Sequence, residues 1–278
     1  MKIMIKIIAS DLDNTALFNG KLSEENKKAI EKAIAQGIDF VPATGRGLSG
    51  IPREVLEIEG VNYALTSNGA CIHDLRTGEI ISHFTLSSED VESLVSIGKA
   101  NQIACEIFVD SKAYVAKEYY ADPASFGMPV DVVDYIKKTR IPVDNINEFI
   151  AKHREEIENF AFVVKDWETN AMVAKEVAQS CNKVFITTSD RQWVEVMSDE
   201  SGKGKGLKHL CDFLGIGIDE AAAFGDADND VEMLEYAGLS IAMDNGSEKC
   251  KKAADLITLA VTENGLAYGI EKYILNSK

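Results

Sequence analysis

The sequence predicts an α/β protein, a Rossmann-like doubly wound parallel sheet with an inserted α+β cap domain. Short apolar segments alternate with helical patterns in the first and last parts of the chain, which is the pattern of βαβ units. Several of these apolar segments end abruptly in polar clusters, as buried parallel strands do at the edge where α/β sheets bind ligands. The middle of the chain has a different pattern, which indicates a separate module.

The first strand is predicted over Ile3 to Ala9, an apolar run broken only by Lys6, and two carboxylates follow it at Asp11 and Asp13. Side chains at positions i and i+2 of a strand point the same way, so both carboxylates are expected to face one spot at the end of a central strand. Carboxylates that are close together repel each other, and Mg²⁺ is a cation that prefers such oxygen ligands. The alternative is a solvated turn, because Asp-Asn is favourable in turns.

Helices and strands then continue to alternate. Ser23, followed by two glutamates, predicts the start of a helix that ends near Gly37. Ile38 to Pro42 predicts a second strand, a further helical stretch reaches Gly60, and Val61 to Thr66 predicts a third strand. We expect these three strands to lie in one parallel sheet.

The pattern changes after the third strand. Residues 71–84 predict a hairpin, and Ser87 begins a helix that reaches about Asn101. A less regular stretch with three prolines is flanked by strands and helices predicted at 103–109, 113–116, 160–165, 169–180, 183–188 and 192–197. We interpret 85–189 as an inserted α/β cap domain and 1–84 with 190–278 as the core domain. Hinges are expected near 82–88 and 188–200.

The βαβ pattern resumes in the last part of the chain. Lys203 lies in a glycine-rich segment that opens a helix, and Ala221 to Phe224 predicts a strand of small residues. This strand ends in Gly225 to Asp230, a segment with three aspartates. The remaining predicted elements are a helix at 231–236, a strand at 239–243, another helix and a strand at 256–259.

The composition argues against several classes of function. The chain has 29 Lys and Arg against 45 Asp and Glu, a net charge of −16, whereas a protein that binds nucleic acid needs a basic face. The five cysteines form no C-x-x-C pair, so neither a zinc cluster nor a disulfide framework is expected. No apolar run is long enough for a membrane span or a signal peptide. We expect a cytoplasmic monomer or small homo-oligomer with no nucleic-acid or membrane partner.

Polar clusters follow several of the predicted strands and loops, and a doubly wound sheet could bring them to one edge. They are Asp11 with Asp13, Thr44-Gly45-Arg46, Lys203, and Asp226 to Asp230. Together they supply carboxylates for Mg²⁺ and for nucleophilic attack, and a hydroxyl and a lysine for phosphate. The combination predicts phosphoryl transfer.

These motifs, in this order and spacing, resemble those of the haloacid dehalogenase superfamily, specifically the Cof-type phosphatases with a C2B-type cap. The segment from Asp11 to Thr15 matches D-x-D-G-T except at Asn14, and Gly225 to Asp230 matches G-D-x-x-N-D. Asparagine tolerates left-handed backbone better than most residues, so the turn is expected to survive the replacement of glycine by Asn14.

The resemblance implies a role for each carboxylate. Asp11 would attack phosphorus, form an aspartyl-phosphate and also bind Mg²⁺. Asp13 would protonate the leaving alcohol and then activate water. The implied Mg²⁺ ligands are Asp11, Asp13, Asp226 and Asp230, the last either directly or through a bound water.

The resemblance also implies that Lys203 neutralises the charge of the nucleophile and the phosphate, with Lys205 as the alternative two residues on. Phosphate or substrate binding is implied for Thr44, Gly45, Arg46, Asn68 and Asn229. At this point Arg46 could equally pair with surface acids. Asn68 and Asn245 match positions that recur near the phosphate or its supporting loops. Asn68 could equally be a turn residue, and for Asn245 the pattern favours a turn residue.

The inserted module is expected to act as a lid that controls water and selects the substrate. Arg191, Trp193 and the segment 125–128 are candidates for substrate contacts, although Trp193 could belong to the core of the cap. Sugar phosphates, nucleotide-derived phosphates and phosphorylated cofactors are all compatible with the resemblance.

We therefore predict a Mg²⁺-dependent phosphomonoester hydrolase that acts on small phosphorylated metabolites. One alternative is a phosphomutase of the same fold, which would return the phosphoryl group to its substrate. Another is a non-catalytic protein that binds a phosphorylated ligand. Asn14 favours this last interpretation, and the intact Asp11, Asp13, Lys203 and Asp226 argue against it.

Overall fold

The computed structural model describes residues 4–188 and 191–276 of the 278-residue chain. The chain forms two compact units. The first unit comprises the described residues up to Arg46, Ile51–Ser82, and the described residues from Gly202 onward. The second comprises Gly47–Gly50 and the described part of His83–Ser201. Residues 189 and 190, where the predicted cap domain ends and the core domain resumes, lie outside the described residues.

The strands occur throughout both units. In chain order they are β1 (Ile7–Ser10), β2 (Leu17–Phe18), β3 (Lys21–Leu22), β4 (Asp39–Pro42), β5 (Tyr63–Thr66), β6 (Cys71–Asp74), β7 (Glu79–His83), β8 (Cys105–Val109), β9 (Lys112–Ala116), β10 (Arg140–Val143), β11 (Ile157–Val163), β12 (Val184–Thr187), β13 (Trp193–Ser198), β14 (Ala221–Gly225), β15 (Leu239–Ala242) and β16 (Leu256–Ile257).

The α-helices connect these strands. In chain order they are α1 (Glu24–Ala35), α2 (Arg53–Leu56), α3 (Ser88–Asn101), α4 (Lys117–Ala121), α5 (Val130–Thr139), α6 (Ile146–His153), α7 (Trp167–Ser180), α8 (Lys203–Leu214), α9 (Val231–Tyr236), α10 (Glu248–Ala253) and α11 (Gly265–Gly269). Short 3₁₀ turns lie at Leu48–Gly50, Ser67–Gly69, Pro123–Phe126, Ile218–Glu220, Asp228–Asp230 and Val261–Glu263, and a π-helical turn at Ile270–Leu275.

The main sheet of the first unit is parallel, with the strand order β16-β15-β14-β1-β4. It confirms the predicted α/β class. The chain passes from β1 to β4 on one side, and the much later β14 pairs with the other side of β1. The strand order therefore reverses beside β1, and open α/β sheets bind ligands at the carboxyl ends of the strands at such a point.

Apolar side chains hold α8 against this sheet. Ile7 of β1 and Ala221 and Ala223 of β14 are buried in one cluster with Leu207 and Leu210 of α8. Burying a leucine side chain contributes about 1.5–3 kcal/mol, so the two leucines alone fix the helix firmly. Because α8 begins at Lys203, the same packing holds the start of the lysine segment near the sheet.

The expectation that the third strand joins the parallel sheet holds only for one bridge at the end of β4. β5 forms an antiparallel sheet in the order β5-β6-β7, and a single parallel bridge between Ala43 and Leu65 joins it to the end of β4. The short connection Ser67–Gly69 explains this pairing, since a connection of that length suits antiparallel strands and a parallel pair needs a longer crossover. The predicted hairpin at 71–84 is present as β6 and β7.

The second unit is built on a mixed sheet with the order β10-β9-β8-β11-β13-β12, antiparallel except for the pair β9–β10. Helices α3 and α7 cover one of its faces. Their Leu94 and Val173 are buried in one cluster with Phe160, Phe162 and Val194 of the sheet. The helix predicted from Ser87 begins there, because the Ser87 side chain accepts the backbone N–H of Asp90.

The stretch between 117 and 153 is more regular than the sequence pattern indicated. It contains α4, α5, β10 and α6. Two of its prolines start helical turns, Pro123 as the first residue of a 3₁₀ turn and Pro129 at the N-cap of α5, where a missing N–H costs nothing. Pro142 lies in β10, an edge strand, which tolerates it. Two of the three prolines therefore mark the starts of helical turns, and the third lies within an edge strand.

Among residues 4–188 and 191–276, we find no helix with both the length and the apolar character that crossing a membrane requires.

Candidate functional site

The predicted site residues of the first unit meet at the carboxyl ends of three neighbouring strands. Asp226 follows β14, Asp11 follows β1, and Thr44 follows β4 after one residue. The backbone N–H of Asp11 donates to the carbonyl of Phe224 at 2.9 Å, which continues the pairing of β1 with β14 past the last strand residue. Parallel strands place their carboxyl ends at one edge, so the side chains converge there as expected.

Lys203 joins two of these segments. Its side chain is fully buried, and Nζ donates to Oδ1 of Asp11 and to Oδ1 of Asp230, each at 2.6 Å. Burial by itself lowers the pKa of a lysine, but the charges of Asp11 and Asp230 outweigh it, so the pKa of Lys203 is raised above its usual value. The ammonium is therefore charged. Lys205, the alternative in the sequence, instead lies near Glu232, with 3.9 Å between Nζ and Oε1.

Three buried carboxylates form a compact group. One oxygen each from Asp11, Asp226 and Asp230 lies within 4.8 Å of the others. Burial raises the pKa of Asp11 well above its usual range, although Lys203 opposes the shift. Burial, and then the charge of Asp230, raises the pKa of Asp226 to about 7. One lysine therefore does not fully compensate the negative charge of the group.

The donor set fits a hard divalent cation such as Mg²⁺, which takes carboxylate, amide and water oxygens. Asn229 adds a second indication. Its Nδ2 donates to Oδ1 of Asn68 at 2.9 Å, but its own Oδ1 is buried and has no donor among the residues that the structure describes. Buried amide oxygens without a partner are rare, and a water molecule held by a cation would supply the missing donor.

Both carboxylate oxygens of Asp230 are already engaged. Oδ1 accepts from Lys203, and Oδ2 accepts the backbone N–H groups of Asp226 and Ala227 at 2.9 and 3.0 Å. The side chain therefore holds the loop after β14 in shape and fixes the direction of Asp226. This geometry leaves Asp230 little free acceptor capacity compared with Asp226.

Thr15 is a site residue for which the sequence pattern predicts no role. It is fully buried, and its hydroxyl donates to Oδ1 of Asp226 at 2.7 Å. This hydrogen bond opposes the rise in the pKa of Asp226. The sequence feature that could have indicated a role for Thr15 is its position in the D-x-D-x-T segment. Its partner lies 211 positions away in the sequence, so the contact itself could not be read from the pattern.

The Asp13 side chain is close enough to Asp11 for its charge to raise the pKa of Asp11, but strand alternation alone does not place it, because β1 ends before Asp13. β1 ends at Ser10, and the chain then turns, with the N–H of Asn14 bonded to the carbonyl of Leu17. Asn14 has a φ of 60°, the left-handed conformation expected of it. The Asp13 side chain is half exposed and lies outside the buried carboxylate group.

Arg46 holds Asp13 through two contacts. Its Nε donates to Oδ2 at 2.8 Å and its Nη2 to Oδ1 at 2.6 Å. This is the bidentate geometry that a guanidinium forms with a carboxylate. The side chain of Arg46 is itself largely buried, with 12% exposed, so solvent screens this ion pair less than a fully exposed one. The sequence leaves the partner of Arg46 open between substrate and surface acids, and in the structure Arg46 pairs with Asp13.

The remaining predicted phosphate-binding residues surround Thr44. Its buried hydroxyl oxygen accepts the N–H of Arg46 at 3.1 Å, and its carbonyl accepts the N–H of Asn68 at 2.9 Å. The carbonyl of Asn68 in turn accepts the N–H of Gly202 at 3.1 Å. Gly45 lies partly exposed in the turn between Thr44 and Arg46. Asn68 therefore links the strand-end turn to the start of the lysine segment.

Asn245 braces the loop of Asn14. Its Nδ2 donates to the carbonyl of Asn14 at 3.0 Å, and its Oδ1 accepts the N–H of Val261 at 2.7 Å. It supports the loop and is more than a turn residue. Asp228 also has partners, Ser247 at 3.0 Å and Lys249 at 2.6 Å.

The candidate substrate contacts of the cap belong to the second unit. Trp193 packs on Phe108, Ala113 and Ala161, and Met128 is buried in a neighbouring cluster. Arg191 is exposed. A role for these residues in substrate selection stays a prediction.

The raised pKa of Asp226 predicts that Mg²⁺ stabilises the protein more at higher pH. A carboxyl whose pKa is raised in the folded state gains stability from its bound proton below the unfolded value and loses it as pH rises through the folded value. The metal-free protein therefore loses stability as the pH rises from the usual aspartate range to about 7. At the lower pH, the metal must compete with the proton bound to Asp226. Calorimetric melts with Mg²⁺ and with chelator, at about pH 5.5 and about pH 8, measure how much Mg²⁺ stabilises the protein at each pH.

In this experiment the Mg²⁺-induced rise in melting temperature should be clearly larger at the higher pH. Asp226→Asn is the matched control, because it removes the titrating group and should weaken the pH dependence. An equal rise at both pH values in the unchanged protein would contradict the assignment of Asp226 as a metal ligand.

Comparisons with known proteins agree with this geometry. Residues 8–270 match the family described as haloacid dehalogenase-like hydrolase. A solved structure of a haloacid dehalogenase-like hydrolase from B. subtilis matches the fold with a TM-score of 0.84 and 27% sequence identity, over 97% of this chain and 100% of that one.

Two curated relatives match nearly end to end. The putative phosphatase YxeH of Bacillus subtilis strain 168 is 27% identical over 276 residues, which cover 98% of this chain and 99% of that protein. From the same organism, 5-amino-6-(5-phospho-D-ribitylamino)uracil phosphatase YwtE is 27% identical over 287 residues, which cover 97% and 98%. The resemblance drawn from the motifs is confirmed, and this chain belongs to the haloacid dehalogenase-like hydrolases.

Proposed function

We propose that this enzyme is a Mg²⁺-dependent phosphomonoester hydrolase that acts on small phosphorylated metabolites through an aspartyl-phosphate at Asp11. The observation that carries the proposal is the buried contact of Lys203 with Asp11 and Asp230, beside the carboxylate of Asp226. A lysine in this position can compensate the charge of a nucleophilic carboxylate and of an approaching phosphate at the same time.

The names of the relatives support the phosphatase activity and indicate a substrate class. YxeH is named a putative phosphatase, and YwtE is named for a substrate with a phosphorylated ribityl chain on a small heterocycle. We propose sugar phosphates or phosphorylated cofactors as the substrate class here. A cytoplasmic location and a monomeric or small homo-oligomeric state stay predictions.

Asp11 is the proposed nucleophile. Its carboxylate attacks the phosphorus of the ester, the bond from phosphorus to the leaving oxygen breaks, and the phosphoryl group is carried on Asp11 until water releases it. Lys203 lies within hydrogen-bond distance of Asp11, so its ammonium can bind a phosphate oxygen during both steps. The hydroxyl of Thr44 accepts from Arg46 and can donate its own hydrogen to another phosphate oxygen.

Asp11 and Asp226 are the proposed direct ligands of Mg²⁺. Asp230, whose oxygens already accept from Lys203 and two backbone N–H groups, would support the cation indirectly, and the Oδ1 of Asn229 would be available to a water molecule of that cation. When bound, Mg²⁺ would neutralise charge on the carboxylates and the phosphate. Asp13, predicted as a further ligand, is proposed to act through its proton instead.

Asp13 is the proposed general acid and base. In its protonated form it gives the proton to the leaving alcohol oxygen in the first step, and the proton that it takes from the attacking water in the second step regenerates the acid. Its bidentate ion pair with Arg46 must loosen when the carboxyl carries a proton, because a protonated carboxyl is a weaker partner for a guanidinium. Arg46 is then available to the negatively charged substrate.

The function is tested by measuring phosphate release from a panel of phosphomonoesters, with Mg²⁺ and with chelator. The panel includes sugar phosphates, nucleotides and phosphorylated cofactors. We expect release from at least one group of small esters, lost on chelation and restored by Mg²⁺. Absence of release from every ester by folded protein with Mg²⁺ would refute the proposal. A rearranged sugar phosphate in place of inorganic phosphate would identify a mutase.

A further inference from the structure

Glu232 contacts the backbone on both sides of Lys203. It is the second residue of α9, and its side chain lies against the first turn of α8. A Cβ on Gly202 would come within 2.2 Å of Oε2 of Glu232, and a Cβ on Gly204 within 2.7 Å of its Cγ. The residues that flank Lys203 can approach Glu232 this closely because they have no side chains. Gly202 also has a φ of 136°, which suits glycine.

The carboxylate of Glu232 serves the N-terminus of α8. The backbone N–H of Lys205 donates to Oε2 at 3.3 Å, and Nζ of the same residue lies 3.9 Å from Oε1. The first N–H groups of a helix have no partner within it, and Gly202 at the N-cap has no side chain to supply one. A negative charge at this end of a helix is favourable because of the helix dipole. Glu232, which lies on the neighbouring helix α9, therefore takes the place of the missing N-cap side chain of α8.

Gly69 closes the opposite side of the same turn. A Cβ on Gly69 would lie 2.3 Å from the carbonyl oxygen of Gly202 and 3.3 Å from Cα of Lys203. The backbone of Lys203 is thus enclosed between Gly69 and Glu232. Nζ must meet two carboxylate oxygens at 2.6 Å, and a small shift of this backbone would break that geometry.

We propose that Glu232 is a positioning residue for the reaction, which acts by fixing the first turn of α8 and thereby the ammonium of Lys203. This inference rests on the proposed function, since it concerns the same chemistry. Glu232 itself does not touch the substrate in this scheme. Its effect on turnover passes through Lys203.

The test compares Glu232→Ala, which removes the cap, with Glu232→Gln, which keeps an oxygen acceptor for the N–H of Lys205. We expect Glu232→Ala to lower kcat by roughly 10- to 100-fold with a smaller change in KM, the usual range for losing a residue that orients a catalytic group. Glu232→Gln should retain most of the activity. The matched control is Glu235→Ala, an exposed glutamate of the same helix, which should leave kcat unchanged.

A double-mutant cycle with Lys203→Ala separates positioning from a general structural role. If Glu232 acts through Lys203, then Glu232→Ala should cause little further loss of activity once Lys203 is absent. Additive losses would overturn the inference, as would a Glu232→Ala enzyme as active as the Glu235→Ala control. Calorimetric titration with inorganic phosphate and Mg²⁺ gives a second readout, in which Glu232→Ala should weaken phosphate binding.

The proposed function and this inference fail in different ways. If the unchanged enzyme releases no phosphate from any ester, the proposed function fails, and the phosphate titration still decides the inference. Equal phosphate affinities for the unchanged protein and Glu232→Ala would then overturn it. If the unchanged enzyme is active and Glu232→Ala matches it in kcat, the inference alone fails.

Discussion

Replacing Asp11 with asparagine is expected to abolish phosphate release without loosening the fold. The amide keeps the size of the side chain but cannot attack phosphorus and hold it in an acyl-phosphate. Removal of a covalent nucleophile typically costs roughly four to six orders of magnitude in kcat. Rates are measured on the best ester of the panel, with enough protein to detect a residual rate at that level.

The stability of the same variant should move in the opposite direction from the usual loss at a buried site. Burial raises the pKa of Asp11 well above its usual range, so in the metal-free protein its ionised form is unfavourable. An asparagine in place of this carboxylate removes that charge, and Lys203 keeps its contact with Asp230. We expect the melting temperature of metal-free Asp11→Asn to equal or exceed that of the unchanged protein near neutral pH.

Asp212→Asn is the matched control for this substitution. Asp212 lies on the exposed side of α8 and pairs with Lys208 at 2.9 Å, far from any chemistry that we assign. It should keep full activity and nearly the same melting temperature, since exposed pairs contribute little. Measurable turnover by Asp11→Asn, above the level of contaminating phosphatase, would reject Asp11 as the nucleophile. A large loss of stability would reject the electrostatic argument.

The edge of the sheet could be predicted from the sequence because its signals are local. An apolar run that ends at Ser10 and a small-residue strand that ends at Gly225 each carry their polar residues on the next positions. Ser23 caps α1 as expected, since capping depends on residues within one turn. The strand ends then meet because parallel strands share an edge, which needs no knowledge of side-chain packing.

The contacts that refine the site depend on the folded chain and could not be predicted. Thr15 reaches Asp226 and Lys203 reaches Asp11 over long separations in sequence. The position of the Asp13 side chain could not be derived from strand alternation, because β1 ends at Ser10 and two-residue periodicity ends with the strand. Pairing of β5 with β6 likewise followed from the length of one short connection, which strand patterns do not specify.

Replacing Lys203 with methionine is the change expected to cost most in stability. Methionine fills much of the space of lysine but leaves Asp11 and Asp230 buried without their shared cation. Breaking a buried ion pair by removing one partner typically costs about 3–5 kcal/mol. We expect a loss of that size in the free energy of unfolding at about pH 8 in chelator, and a loss of phosphate release of roughly 100- to 1,000-fold, as for the removal of one preorganised charge.

Lys205→Met is the control, because Lys205 lies two residues away and is one-third exposed beside Glu232. Its loss should cost less than about 1 kcal/mol. Denaturant unfolding of both variants gives the comparison. A Lys203→Met protein as stable as Lys205→Met at the higher pH would show that the buried carboxylates do not depend on this ammonium.

The pH dependence of the Lys203→Met loss identifies its cause. Lys203 lowers the pKa of Asp11, so without it the folded state binds a proton still more readily than the unfolded chain does. That proton stabilises the folded state at low pH, and the benefit disappears as pH rises through the folded pKa. The loss should therefore shrink in acid and grow above neutral pH.

Asp11→Asn and Lys203→Met alter the two ends of one 2.6 Å contact and yet should change metal-free stability unequally, because the buried group carries more negative than positive charge. Lys203→Met increases the excess of buried negative charge, whereas Asp11→Asn reduces it. The two variants should therefore change the metal-free stability in different directions, which ordinary core packing would not predict.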